Sequence, residues 1–294
     1  MADAVIRYRS SDEDSARWQG FSRRPGDIVI STRSKSGTTW MQMICALLVL
    51  RTPELPAPLS ELSPWLDWLV DPPEAVYRRL AAQRHRRVIK THTPLDGVPF
   101  DPLVHYIVVA RHPLDMAVSL HHQSLNLDRA RLAELTGQTG APEPGRPRQP
   151  VAQALVRWID ADPAPREELD SLPGVMWHLR DAWTRRHAPN VHLVHYDDLS
   201  ADLGGQMHRL AGLLGLEAPG PELVEAATFD RMRARADRLA PDPVGVLKDR
   251  RAFFRTGRSG QGSALLDAAT RARYQARAAA LAPPDLVAWL HRDR

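Results

Sequence analysis

Four short runs of β-branched and aromatic residues punctuate the chain, at Asp27 to Thr32, Arg87 to Thr91, His105 to Ala110 and Val191 to Tyr196. Each is bounded by polar or proline-containing turns, the signature of a strand. Longer amphipathic stretches separate them. The apolar segment opening at Trp40 and running to Leu50 predicts a helix. So does Pro113 to Ser124, where a proline suited to the first turn is followed by Asp115 and by apolar Leu114, Val118 and Leu120. Further helices are predicted at Val151 to Asp160, Gly174 to His187, Gly204 to Leu214 and Ser263 to Leu281. Strands alternating with helices imply an α/β fold, a single domain over residues 1–294 with a central, mainly parallel sheet flanked by helices. In such sheets ligands bind at the carboxyl ends of the strands.

Between Asn126 and Pro150 the sequence turns to Gly, Pro, Gln, Thr and Arg, and neither period fits. This predicts a long loop, either a lid or binding segment or a disordered stretch. Charged residues make up 25% of the 294 residues and hydrophobic ones 43%, the composition of a soluble globular protein. A net charge of +4, with arginines spread along the chain, gives no support to nucleic-acid binding and is compatible with a local basic pocket for a small anion. The single cysteine, Cys45, lies in an apolar run and reads as a small buried hydrophobe. Without a disulfide partner it points to the cytoplasm. Met1 to Trp18 lacks the apolar centre of a signal peptide, and no run approaches the length of a membrane span.

The chemistry begins after the first predicted strand, at Arg33-Ser34-Lys35-Ser36-Gly37-Thr38-Thr39-Trp40. A strand, a tight turn and a helix start leave free N–H groups at the positive end of a helix dipole, an anion site to which Lys35, Ser36, Thr38 and Thr39 add donors. The plainer alternative is that Ser and Thr only cap a helix. A Walker A loop would place lysine after its second glycine, whereas Lys35 precedes Gly37. After the second strand, Lys90 and His92 stand two residues apart on an extended chain and so on one side of it. A cation there can neutralise a group in transfer, and an imidazole can take a proton from a hydroxyl. After the third, Arg111 offers a planar fork suited to phosphate and Ser119 a short donor. Adjacent His121 and His122 point to different helix faces, and no acidic cluster or H-E-x-x-H accompanies them, so no metal is expected.

Taken together these segments resemble the cytosolic-type sulfotransferases that use 3′-phosphoadenosine 5′-phosphosulfate. Four motifs match in order: Lys35 to Trp40 is similar to the P-loop-like loop around the 5′-phosphosulfate, Lys90-Thr91-His92 to the catalytic strand, Arg111 to Ser119 to the 3′-phosphate motif, and Phe254-Arg255-Thr256-Gly257 to the late glycine-containing loop. The run Lys90 to Gly97 further resembles actinobacterial members that act on glycolipids. The resemblance implies roles. Lys35 would hold the bridging oxygen of the leaving phosphate, Ser36, Gly37, Thr38 and Thr39 would cradle the 5′-phosphate, and Trp40 would stack on adenine. Arg111 and Ser119 would bind the 3′-phosphate. Tyr196 would contact the donor, and Thr228 and Phe229 would lie on its adenine side. His92 would be the general base and Lys90 a stabiliser of the sulfuryl group, with adenosine 3′,5′-bisphosphate as product. A sulfuryl group carries less charge than a phosphoryl group, so no metal is required.

The late loop departs from the family pattern. The expected lysine and tryptophan are missing from Arg255 to Ser263, leaving Arg258 to supply the lost charge. The C-terminal dimer motif is not recognisable, so the oligomeric state is open. Trp65 and Trp68 stand where the family has an acceptor-pocket loop, and Phe21 at a substrate-contact position by its spacing from Asp27. The acceptor implied is an apolar small molecule or glycolipid bearing a hydroxyl. Two alternatives remain open on the sequence: a P-loop kinase, and a noncatalytic module that binds adenosine bisphosphate.

Overall fold

The computed structural model describes residues 5–137 and 149–292. Four strands, β1 (Ile28–Ser31), β2 (Val88–Thr91), β3 (His105–Ala110) and β4 (Val191–His195), form one parallel sheet in the order β2-β1-β3-β4. Ser31 pairs with Thr91 on one side and Val108 on the other, which brings the carboxyl ends of the three strands together.

The helices that pack around the sheet or border its carboxyl edge include α1 (Thr38–Leu50), α2 (Pro73–Ala82), α3 (Pro113–Asn126), α4 (Arg129–Leu135), α5 (Val151–Asp160), α6 (Leu172–Thr184), α7 (Tyr196–Ala201), α8 (Leu203–Leu214), α9 (Ala268–Leu281) and α10 (Pro284–His291). Successive strand residues face opposite layers. Val29, Ile89, Tyr106 and Val108 pack with Leu114 and Val118 of α3, Met176 and Leu179 of α6 and Tyr274 of α9. Ile28, Ile30, Val88, Ile107 and Val109 pack with Ile44 and Leu47 of α1 and Met207 and Leu210 of α8. Fully burying each large aliphatic side chain contributes about 1.5–3 kcal/mol, so these two layers hold the sheet. α1 is buried on nearly every side, which is why its sequence shows a solid apolar run rather than a stripe.

The predicted strands all occur, with ends trimmed by a residue: Asp27, Thr32, Arg87 and Tyr196 fall outside them, and Tyr196 instead starts α7. The single helix expected over Ser263 to Leu281 is broken. A single helical turn at Gln261–Ala264 precedes α9, which is capped by Asp267, whose carboxylate accepts the Thr270 N–H at 2.7 Å. The long loop expected from Asn126 to Pro150 is also corrected in part. Asp128 caps α4 by accepting the Arg131 N–H at 3.0 Å, and the expectation for 138–148 lies outside the described residues. Two helices begun by proline, α2 and α10, add to those that the periodicity predicts. No helix among the described residues is long and apolar enough to cross a membrane.

Candidate active site

Each strand hands over to a chemistry-bearing residue at its carboxyl end. Thr32 follows β1 and leads into Arg33 to Lys35, His92 follows β2, Arg111 follows β3 and Tyr196 follows β4. Residues far apart in sequence thereby line one cavity of about 460 Å³. The segment after β1 is a turn with left-handed backbone at Lys35 (φ 63°) and at Gly37 (φ 108°). For lysine this conformation is uncommon and costs energy, the kind of strain that surrounding structure enforces at functional sites. A Cβ on Gly37 would lie 3.0 Å from the Tyr196 ring, so any other residue there would both strain the backbone and press on that ring. α1 starts immediately after, leaving its first N–H groups without intrahelical acceptors.

Besides Arg9, Arg33 and Arg166, four cations border the cavity: Lys35, Lys90, Arg111 and Arg255. Among the described residues none of these four makes an ion pair; the Lys35 ammonium lies 3.7 Å from the centre of the Phe253 ring and the Lys90 ammonium 3.8 Å from that of Trp65. Burial, reinforced by Arg111, Lys90 and Arg255, pushes the Lys35 pKa down to about 7. Burial likewise lowers Lys90 to about 8, opposed by Asp67 and, when it is ionised, by Glu13. Arg111 donates to the carbonyls of Lys35 (3.3 Å) and Arg258 (2.9 Å) and stacks 4.3 Å from Tyr196, while its Nε is buried without a partner. The Nε of Arg255 is likewise orphaned. Buried donors without acceptors, beside cations outside any ion pair, fit a polyanionic ligand.

His92 is fixed from two sides. Its Nδ1 meets the Thr32 carbonyl, which can only accept, so that nitrogen carries the proton and Nε2 keeps its lone pair. Burial, then Lys90 and Arg33, hold its pKa well below the usual imidazole range, so the ring is neutral. Its own carbonyl accepts from Arg33, which is also bound to Asp170 at 2.8 and 3.1 Å. Below the strand end, the buried Asp67 accepts from the hydroxyls of Thr91 and Thr93 and from the Trp18 indole. Sequence reasoning assigns Arg33 and Asp67 no role; a lone buried arginine or aspartate carries no spacing signal before its partners are known.

In the sequence Asp115 is marked only as a first-turn acid, yet its two carboxylate oxygens accept the N–H groups of Gly260 (2.7 Å) and Gly262 (2.9 Å). Ser259 donates to Asp197. The late loop that lacks the family's lysine and tryptophan is thus tied down by two acids from the ends of β3 and β4. Arg258 does not replace the missing charge: its side chain is exposed and off the cavity, and only its carbonyl is used. Gly257 (φ 64°) packs so closely on Phe229 that a Cβ would sit 2.6 Å from the ring.

Of the predicted site residues, Lys35, Gly37, Thr38, Thr39, Trp40, Trp65, Trp68, Lys90, His92, Arg111, Ser119, Tyr196, Phe229, Phe254, Arg255, Thr256 and Gly257 line the cavity together. Ser36, Thr228 and Phe21 do not. Ser36 is buried in the turn, where its N–H donates to the Arg33 carbonyl. The hydroxyl of Thr228 is bound to the Glu225 carbonyl at 2.8 Å. Phe21 packs edge-on against Trp18 and beneath Arg87, in the core near the amino end of the sheet, because Arg87 is drawn inward by its buried pair with Asp27. Trp65 lies parallel to Trp68 with ring centres 5.2 Å apart and edge-on to His92 at 4.6 Å, so it forms a wall that seats Lys90 and His92. Among the described residues no group of His, Cys, Asp or Glu is arranged to hold a metal.

Comparison with known proteins bears on this arrangement. The family model described as "Sulfotransferase domain" matches residues 25–279. A glycolipid sulfotransferase of Mycobacterium bovis is 42% identical over 316 aligned positions, covering 100% of this chain and 96% of its own. Sulfotransferase 2B1 of Homo sapiens is 29% identical, covering 81% of this chain and 60% of its own. Among solved structures, retinol dehydratase in complex with retinol and PAP superposes with a TM-score of 0.68 at 20% identity, covering 92% of this chain and 88% of its own. Mouse sulfotransferase SULT7A1 complexed with PAP gives 0.63 at 18% identity, covering 95% and 93%.

Proposed function

The chain belongs to the sulfotransferase family and is an enzyme dependent on 3′-phosphoadenosine 5′-phosphosulfate, and from that footing we propose that it transfers the sulfuryl group to a hydroxyl of a glycolipid or similar amphiphilic acceptor. The observation that carries this reading is the meeting, in one cavity, of Lys35, Lys90, Arg111 and Arg255, none of them in an ion pair among the described residues, with a neutral imidazole whose Nε2 is free. The donor supplies a sulfuryl group on a good phosphate leaving group. Lys35, the turn through Thr39, Arg111, Ser119 and Arg255 would hold its phosphates, with Trp40, Tyr196 and Phe229 around adenine. His92 would accept the acceptor's proton, and Lys90 would sit beside the charge spread over the nonbridging oxygens. The apolar part of the acceptor is served by Leu127, Leu132, Val246, Leu247 and Phe253 along the cavity wall. The glycolipid assignment draws on what the mycobacterial relatives are named for.

Calorimetric titration with adenosine 3′,5′-bisphosphate (PAP), adenosine 5′-monophosphate (AMP) and ATP, each with and without magnesium, tests the donor half. Tight binding that needs the 3′-phosphate and not the metal is expected. A preference for ATP with magnesium would return the kinase alternative. Binding should also take up protons. Lys35, lowered to about 7 by burial and neighbouring cations, is partly neutral in the free protein at about pH 7.5, and a bound phosphate favours its charged form. The sign follows: affinity falls as pH rises from about 7 towards the higher bound-state value. Titrations in two buffers of different ionisation enthalpy should reveal net uptake of up to about one proton from this group; release instead of uptake would contradict the assignment of Lys35 to the phosphates.

A further inference from the structure

The cavity has a polar flank to which the proposed donor site assigns no residue. Tyr8, Arg9, Ser10, Asp12 and Glu13 of the N-terminal segment border it, facing Arg166 to Asp170. Within that flank Glu13 combines a fixed backbone with a side chain that makes no hydrogen bond among the described residues. Its N–H donates to the Ser10 hydroxyl at 3.1 Å, its carbonyl accepts the Ser10 N–H at 2.9 Å, and it is bridged antiparallel to Trp68, which stacks on Trp65. Its carboxyl, by contrast, takes no hydrogen bond or ion pair among the described residues, although it lines the cavity within electrostatic reach of Lys90. The carboxyl is half-buried and open to the cavity, where a ligand hydroxyl can reach it.

We propose that Glu13 is a specificity-determining residue that hydrogen-bonds a second hydroxyl of a sugar headgroup while His92 engages the hydroxyl that reacts. This deepens the acceptor assignment under the proposed function and rests on it. The supporting geometry is the division of the cavity walls. Glu13, Ser10 and Asp12 come with Trp68 and Lys90 on the polar side, whereas Leu127 and Leu247 form a bridge on the side of Lys35, whose Nζ contacts Gln123 and Phe253. Such a cavity suits a headgroup bearing several hydroxyls attached to an apolar tail better than a sterol or simple phenol, which has one hydroxyl. Burial, together with Asp67, Asp170 and Asp12, pushes the Glu13 carboxyl up to about 8 against the opposing charge of Arg33. At neutral pH it therefore both donates and accepts, as an amide does, and Glu13→Gln should preserve the contact where Glu13→Ala cannot.

The test is calorimetric titration of wild type, Glu13→Ala and Glu13→Gln with octyl β-D-glucoside below its micelle threshold and with 1-octanol, each in the presence and absence of saturating PAP. Wild type is expected to prefer the glucoside. Glu13→Ala should weaken glucoside binding about five- to tenfold, the equivalent of one lost hydrogen bond, and octanol binding by less than about twofold, with Glu13→Gln restoring the preference. Equal weakening of both ligands, no weakening of either, or a wild type that binds octanol as well as glucoside would overturn the proposal. Failure of wild type to bind PAP would instead sink the donor assignment, and the arms without PAP would still decide Glu13.

Discussion

His92→Ala is expected to lower kcat about a thousand-fold, within the range typical of a lost general base, while PAP affinity stays within about twofold. The expectation rests on where the ring's protons are. With Nδ1–H committed to the Thr32 carbonyl, Nε2 is the nitrogen left to receive a proton, and burial beside Lys90 and Arg33 keeps it unprotonated. His92 also lies outside the turn that carries Lys35 to Thr39, so its loss should spare phosphate binding. Initial rates with labelled donor, paired with PAP titration of the same variant, separate the two effects. A comparable fall in PAP affinity would make His92 a donor contact instead. Because the folded environment depresses the imidazole, a limb of kcat/KM rising with pH and centred near the ordinary value of about 6.5 would also contradict the assignment.

Arg111→Ala should weaken PAP binding about a hundred-fold or more and AMP binding by less than about tenfold, erasing much of the preference for the 3′-phosphate. Charge-assisted hydrogen bonds in buried sites contribute about 1.5–3 kcal/mol each, and a guanidinium can make two to one phosphate. Arg111 also ties the Lys35 carbonyl to that of Arg258, which accounts for the smaller expected loss with AMP. Arg111→Lys should not rescue, since an ammonium cannot reproduce the planar fork that reaches both carbonyls. Titration of the two nucleotides against each variant decides it. Equal losses for PAP and AMP would mean that Arg111 only holds loops.

The strand-forming runs and the cations that follow them are legible in the sequence because each is local: β-branched runs announce β1 to β4, and Lys35, Lys90, His92 and Arg111 come directly at or after their ends. Less legible is everything that depends on a distant partner. Asp115 looks like an ordinary first-turn acid until Gly260 and Gly262 are brought to it. Phe21 is placed in the sequence by spacing alone, and the buried Asp27–Arg87 pair draws the chain so that its ring joins the core. Glu13 belongs to the same class, since only the bridge to Trp68 puts it in the cavity. The helix at Arg129–Leu135 is hidden by the Gly- and Pro-rich composition that comes after it, although Asp128 is an ordinary capping residue.

The crowd of unpaired cations has a further consequence for turnover and heat tolerance. Lys35, Lys90, Arg111 and Arg255 repel one another in the empty cavity, so the unliganded fold carries an electrostatic cost that a bound nucleotide removes. At a hundred-fold excess over Kd, PAP should raise the melting temperature by about 4 °C by mass action alone. Under the proposed donor assignment, transfer of the sulfuryl group would leave both phosphates of the nucleotide in place, and with them its grip on Arg111 and the turn after β1. The spent nucleotide would then act as a structural counter-ion, and its departure, rather than the chemical step, is expected to set the pace at saturating acceptor.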